Sequence, residues 1–373
     1  MLSSRIATRS FASAASPVKL TTRESSGKLS KLSVVINGGS KTGKSGLAHL
    51  LSRYQFQRNG AKSDLRFIRE AELLGASFNA QVTRDAIVLN TVFFKQDLPY
   101  FVESLANNLK SGAFRPHYFD EIVLPTALND AAVANSDNQF KALEKLHELA
   151  FRKGYGQPLY FDGKAAISNE EVVQSAKELF TTSNIEIVAS GVDQADLTSF
   201  VSEFGFAQLP AGSPAASSQA FFQGESRIRA SGQNVATIGV PVKTADFAAY
   251  EVLAATLGSV FLPSAVSPLG QIQGGVNASS QLYKYNDAGL FTITVSGANA
   301  SAVAAGIKEA AKLAKAAPAS NLKLAELAVA LQKDQTLTGS VNVNVAGAEA
   351  AKLGKFSYVA VGNTDILPFA DEL

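Results

Sequence analysis

Apolar residues recur along this chain at spacings that predict helices and strands in alternation. Leu98, Phe101, Val102, Leu105, Ala106 and Leu109 fall on one helix face, with Asp97 placed as an N-cap. Ser168-Asn169-Glu170-Glu171 reads as a capping box ahead of Val172, Val173, Ala176, Leu179 and Phe180. Leu47, Leu50, Leu51 and Tyr54 form another stripe, and Val303–Ala314 a further helix. Tyr250, Leu253, Ala254 and Leu257 form one that stops at Gly258. Strands are predicted over Leu32–Ile36, Ala86–Phe94, Ile185–Val188, Val235–Val242, Leu290–Val295 and Phe356–Val361. Phe291, Ile293 and Val295 alternate with Leu290, Thr292 and Thr294, the period of a half-buried strand. Strand frequently follows strand. The expected class is α+β, with helices on one face of mixed, largely antiparallel sheets.

The order of elements repeats. Each half runs strand, helix, a Gly-containing junction ending in Asn-Ala (Asn79-Ala80 and Asn277-Ala278), strand, helix. The stretch Pro210–Ser218 lacks periodicity and reads as a linker. The expected layout is therefore a domain over 17–209, a linker over 210–220 and a homologous domain over 221–373.

Composition narrows the chemistry. The 373 residues include no cysteine, which excludes disulfides, a Cys-ligated metal and a catalytic thiol. A metal site would have to draw on His49, His117 and His147 plus carboxylates. Formal net charge is only +2, too little for a broad phosphate footprint. No apolar run of membrane-spanning length occurs. Residues 1–23 carry Arg5, Arg9, Lys19 and Arg23 and no acid, the signature of a mitochondrial presequence. Arg9-Ser10-Phe11-Ala12 predicts cleavage after Phe11, with a leader of residues 1–11, extending to about 16 at most. Losing residues 1–11 and their two arginines brings the net charge to zero. N-terminal sequencing of the native protein is expected to start near Ala12; an intact Met1 would refute the leader.

Two motifs compete on one segment. Gly38-Gly39-Ser40-Lys41-Thr42-Gly43-Lys44-Ser45 fits G-x-x-x-x-G-K-[ST], between a predicted strand and a predicted helix. In a nucleotide hydrolase its amides would cradle phosphates, with Lys44 on the β/γ oxygens and Ser45 on magnesium. Against this, the apolar strand Ile185–Val188 runs on to Gly191 without the acid that magnesium needs.

The helix that follows reads Gly46-Leu47-Ala48-His49-Leu50-Leu51-Ser52-Arg53-Tyr54. It resembles the pitrilysin / mitochondrial processing peptidase family, which carries an inverted H-x-x-E-H zinc motif there. The resemblance continues through Glu72–Ala80, Ala150–Leu159, Gly163, Ile167 and Asn184–Gly191, and covers about residues 28–373. It implies two homologous peptidase-like domains. The family's chemistry does not carry over. His49 matches the first ligand, Ser52 stands where the general base belongs, and Arg53 stands where the second histidine belongs. A serine is no substitute for a carboxylate base, and arginine offers only donors. Thr126-Ala127-Leu128-Asn129, where the last ligand is expected, holds no carboxylate. The family's substrate arginine is replaced within Ser267-Pro268-Leu269, and no tyrosine lies in Val276–Ala278. The expectation is that Arg53 fills the former metal position with its own charge, and that His49 is a partly buried, hydrogen-bonded structural histidine. His117 and His147 are expected in ordinary surface or helix-face roles. No catalytic, cofactor-binding or metal-ligating residue is assigned, and no cofactor.

Within that family, mitochondrial chains without metal ligands resemble the core subunits of ubiquinol–cytochrome c reductase, respiratory complex III. This implies a non-catalytic structural subunit on the matrix side of the inner membrane. It would pair with core protein 1, contact other subunits, support assembly, and engage neither nucleic acid nor a small-molecule substrate. The non-catalytic subunit of the processing peptidase is an alternative, although the segment matching its glycine-rich loop, Phe261–Pro268, is short and poor in glycine. The P-loop nucleotide hydrolase over Gly38–Ser45 is the other, and it predicts ATP binding lost on Lys44→Ala.

Overall fold

The computed structural model describes residues 18–23, 25, 27–212, 219–316, 321–335, 341 and 343–373. The expected leader and linker residues 213–218 lie outside the described residues. The first half supplies β1 (Lys19–Arg23), β2 (Leu29–Asn37), β3 (Ser77–Val82), β4 (Ala86–Phe94) and β5 (Ile185–Ser190). The second supplies β6 (Glu225–Arg229), β7 (Asn234–Val242), β8 (Asn277–Lys284), β9 (Gly289–Gly297) and β10 (Ser357–Gly362). The sheet orders are β1-β5-β2-β4-β3 and β6-β10-β7-β9-β8, one order used twice. In each sheet one outer pair is parallel, β1 with β5 and β6 with β10, and the other pairs are antiparallel. The α+β class and the duplication are thus as expected, and the repeated Asn-Ala lies in the third strand of each half.

The helices of the first half are α1 (Leu47–Tyr54), α2 (Asp64–Leu73), α3 (Leu98–Ser111), α4 (Pro116–Tyr118), α5 (Leu124–Ala134), α6 (Asn138–Phe151), α7 (Asn169–Leu179) and α8 (Gln194–Glu203). A π-helical turn over Phe119–Val123 joins α4 to α5. The second half has α9 (Phe247–Leu257), α10 (Ala300–Lys315) and α11 (Leu322–Gln335). The capping box forms: the Ser168 hydroxyl accepts from the Glu171 amide, and the Glu171 carboxylate accepts from the Ser168 amide. Asp97 differs from expectation. It sits at the N-cap position of α3 without a side-chain cap, because a 3-10 turn over Lys95–Asp97 already leads the backbone into the helix.

Core positions follow the periodicities. Leu32, Val34 and Ile36 of β2 and Ile87, Leu89 and Phe93 of β4 face α1, α3, α7 and α8. In the second half, Ala236, Ile238 and Val240 of β7 and Phe291, Ile293 and Val295 of β9 face α9 and α10. The opposite face of the second sheet is also covered, and by a helix from the first half. Ala142, Leu146, Ala150 and Phe151 of α6 pack with Val235, Leu290, Val359 and Val361. Leu146 and Phe151 are fully buried there, worth roughly 1.5–3 kcal/mol each. Gly239 permits the approach: a Cβ at that position would lie 2.5 Å from the Leu146 side chain.

Candidate functional site

Two segments meet at the start of α1. Gly46 sits at φ 86°, and a Cβ on it would come within 2.6 Å of Phe161. That closeness brings the Phe161 amide to His49, where it donates to Nδ1 at 3.1 Å. The imidazole proton is therefore assigned to Nε2. His49 is fully buried, more so than the sequence suggests, with its ring edge-on to Tyr160 at 4.8 Å.

His49, Ser52 and Arg53 share one face of α1, as their spacing requires. The Ser52 hydroxyl donates to the His49 carbonyl at 2.7 Å, so it is spent on its own helix. Arg53 reaches outward. Its Nε lies 2.6 Å from Asp130 Oδ2, an ionic contact without hydrogen-bond alignment, and its Nη1 donates to the Ala80 carbonyl of β3 at 3.3 Å. Asp130 Oδ2 is also 3.4 Å from His49 Nε2. A carboxylate does stand in the slot, on α5, one residue beyond the 126–129 window. Extending that window by one position would have found it.

This geometry fits a charge pair and does not fit a divalent ion. The Arg53 guanidinium occupies the Asp130 carboxylate and provides no lone pair. The free lone pair of neutral His49 is already taken by the Phe161 amide. Among the described residues, no three histidines and carboxylates gather as a metal would need. The arrangement ties α1, α5 and β3 together.

Burial, and then the Arg53 charge, lower the His49 pKa to about 4, while Asp130 pulls it the other way. His147 is lowered well below its usual value by burial and by Arg84, opposed by its bond to the Leu143 carbonyl. Both imidazoles are neutral when folded. Between about pH 4 and 6.5 the unfolded chain binds more protons, so stability rises with pH through that window and levels off above it. On acidification from pH 6.5 to 4, His49 alone is expected to cost on the order of 3 kcal/mol. Arg53→Leu removes a lowering charge and leaves Asp130, so the His49 titration followed by NMR is expected to move upward. An unmoved titration would remove Arg53 from the slot.

The glycine loop gives the opposite result from its motif. The Gly38 and Gly39 amides donate to the Asp85 carbonyl (2.9 and 3.0 Å), Ser40 to Thr83 (3.0 Å), Lys41 to Arg84 (3.1 Å) and Thr42 to Gly39 (3.1 Å). Four of the motif's eight amides, Gly38 to Lys41, are thereby bound to the β3–β4 turn. Lys44 is ion-paired with Glu171. The nucleotide-hydrolase alternative over Gly38–Ser45 is not favoured: the first half of the loop is a backbone splice.

Around this splice lies a polar hub that the sequence reading missed. Lys41 Nζ contacts Asp85 (2.8 Å) from the first half and Asp287 (3.2 Å) from the second, and donates to the Tyr155 hydroxyl (3.0 Å). Arg84 is 5% exposed; it donates to the Tyr155 and Gln157 carbonyls (2.8 and 2.7 Å) and pairs with Glu144 of α6. His147, expected on an ordinary face, is instead buried between the Leu143 carbonyl (2.8 Å) and the Tyr285 hydroxyl (2.6 Å). His117 is exposed, as expected. Ser267 is buried in a turn, donating to the Ser264 carbonyl at 2.9 Å.

Comparison with known proteins places these features in context. A family model described as insulinase (peptidase family M16) matches residues 19–163, and one described as peptidase M16 inactive domain matches residues 166–331. The chain is 53% identical over 377 residues to cytochrome b-c1 complex subunit 2, mitochondrial, of Debaryomyces hansenii, spanning 99% of this chain and 100% of that one. It is 39% identical over 362 residues to the Saccharomyces cerevisiae protein of the same description, spanning 95% of each. The crystal structure of a peptidase M16 inactive domain from Pseudomonas fluorescens superposes with a TM-score of 0.76 over 95% of this chain and 98% of that one. At 15% identity that likeness is one of fold.

Proposed function

Because the chain belongs to the M16 peptidase family, in the branch of fungal cytochrome b-c1 complex subunit 2 proteins, we propose that it is the core protein 2 of a mitochondrial cytochrome b-c1 complex. Its role is structural. It supports assembly and stability of the complex and carries out no peptide hydrolysis. The observation that carries this reading is the Arg53–Asp130 pair in the slot where the active members of the family hold metal. Ser52, with its hydroxyl bonded to its own helix, supplies no base there.

The finer placement follows from the same reading. The subunit pairs with core protein 1 and sits on the matrix side of the inner membrane, held by other subunits. No described helix is long and apolar enough to cross a membrane, which agrees with a peripheral position. Blue-native electrophoresis of mitochondria, with mass spectrometry of the band, tests all of this. The chain is expected to co-migrate with the cytochromes of complex III and core protein 1. Deletion is expected to deplete that band and respiration. Co-migration with a catalytic processing-peptidase subunit, without cytochromes, would overturn the proposal.

A further inference from the structure

A cleft of about 660 Å³ opens on the first half and shares no residue with the Arg53–Asp130 slot or the glycine loop. Its volume lies in the range of sites that hold small molecules. Leu109, Ala176, Phe180 and Leu209 line it and are each less than a tenth exposed, so its base is built from core side chains of α3, α7 and the segment before the linker. The rim at Ala113-Phe114 is preformed. Phe114 is held at φ 37°, its carbonyl accepts from the Asn169 side chain at 3.2 Å, and its ring lies 5.1 Å from Tyr54. A bulky residue in that region of backbone space stores strain that its surroundings must sustain.

Among the described residues, only two charged side chains line the cleft, Lys110 and Lys177, and no carboxylate does. Lys110 Nζ gives one hydrogen bond, to the Phe204 carbonyl at 3.2 Å, and retains two donors. Lys177 has no hydrogen bond or ion pair among the described residues. In a chain with 34 basic and 32 acidic residues, an apolar cleft with two cations and no anion is a local bias. It repels a cation, including the chain's own leader with Arg5 and Arg9. A neutral apolar guest leaves both ammonium groups unused. An acyl chain ending in an anion satisfies the walls and the lysines together.

We propose that this cleft binds a single-chain amphipathic anion, a long-chain carboxylate, with its alkyl chain against Ala176, Phe180 and Leu209 and its head between Lys110 and Lys177. The test is calorimetric titration of the folded full-length chain with dodecanoate, kept below its micelle-forming concentration. Saturable binding of one dodecanoate per chain is expected, at least tenfold tighter than dodecylammonium or dodecanol. Lys110→Met/Lys177→Met should weaken it at least tenfold while leaving the melting curve unchanged. Ala113→Trp, which crowds the half-exposed rim, should block it with both lysines present. Absence of saturation, equal binding of the three head groups, or an unaffected double-lysine variant would each overturn the proposal.

Discussion

Arg84→Met is expected to destabilise the chain by about 3–5 kcal/mol, the usual result when one partner of a buried ion pair is removed. Arg84 is 5% exposed, and its guanidinium serves the Tyr155 and Gln157 carbonyls as well as Glu144. Methionine preserves most of the side-chain volume, so the loss reports on charge and hydrogen bonds. Removing the stranded carboxylate as well, with Glu144→Gln, should recover part of the loss. Lys44→Ala offers the contrast. That pair is largely solvated, so its removal should cost under about 1 kcal/mol. Chemical denaturation of the four proteins decides the matter. A loss below 1 kcal/mol for Arg84→Met would mean that the hub contributes nothing net.

The second large effect lies where α6 crosses to the other half. Leu146→Ala is expected to cost about 2–5 kcal/mol, because the fully buried side chain leaves a void against the second sheet. Gly239→Ala alone should also destabilise, since its methyl would stand 2.5 Å from the Leu146 side chain. Combined, the two should be less harmful than the sum of their separate costs, because the new methyl enters the space that leucine vacated. Simple additivity would place Leu146 and Gly239 out of contact. Differential scanning calorimetry adds a further reading. If α6 couples the halves, wild type should melt in a single transition, and Leu146→Ala should begin to separate it in two.

What the sequence disclosed depended on how deeply each element is buried. The six strands predicted from sequence became β2, β4, β5, β7, β9 and β10, the interior members of the two sheets. Those left unread, β1, β3, β6 and β8, are the four sheet edges. Two of these edges, Lys19–Arg23 and Glu225–Arg229, are short, charged and partly solvated along their length. Helices behaved similarly. α3 and α7 have one apolar face against one sheet and declared themselves. α6 carries an equally clear stripe, but periodicity does not say which sheet a stripe will cover.

The candidate site was legible on α1 because its three positions lie within one turn of helix. Asp130 was missed by one position, since a partner from a distant helix has only an approximate offset in sequence. The glycine loop shows the converse. Eight residues met every requirement of a pattern, and the tertiary contacts of the β3–β4 turn took half of its amide donors. A motif of this kind is a statement about free amides, and only the neighbours decide whether they are free.

Because α6 belongs to one half by sequence and to the other by packing, a protease that nicks the chain between 213 and 218 would not release two separate pieces. The amino-terminal fragment would stay bolted to its neighbour by a helix that has nowhere else to hide its leucine and phenylalanine. The same fastening constrains inheritance: a gene exchange that swapped only the carboxy-terminal half would have to bring a sheet shaped to receive this helix.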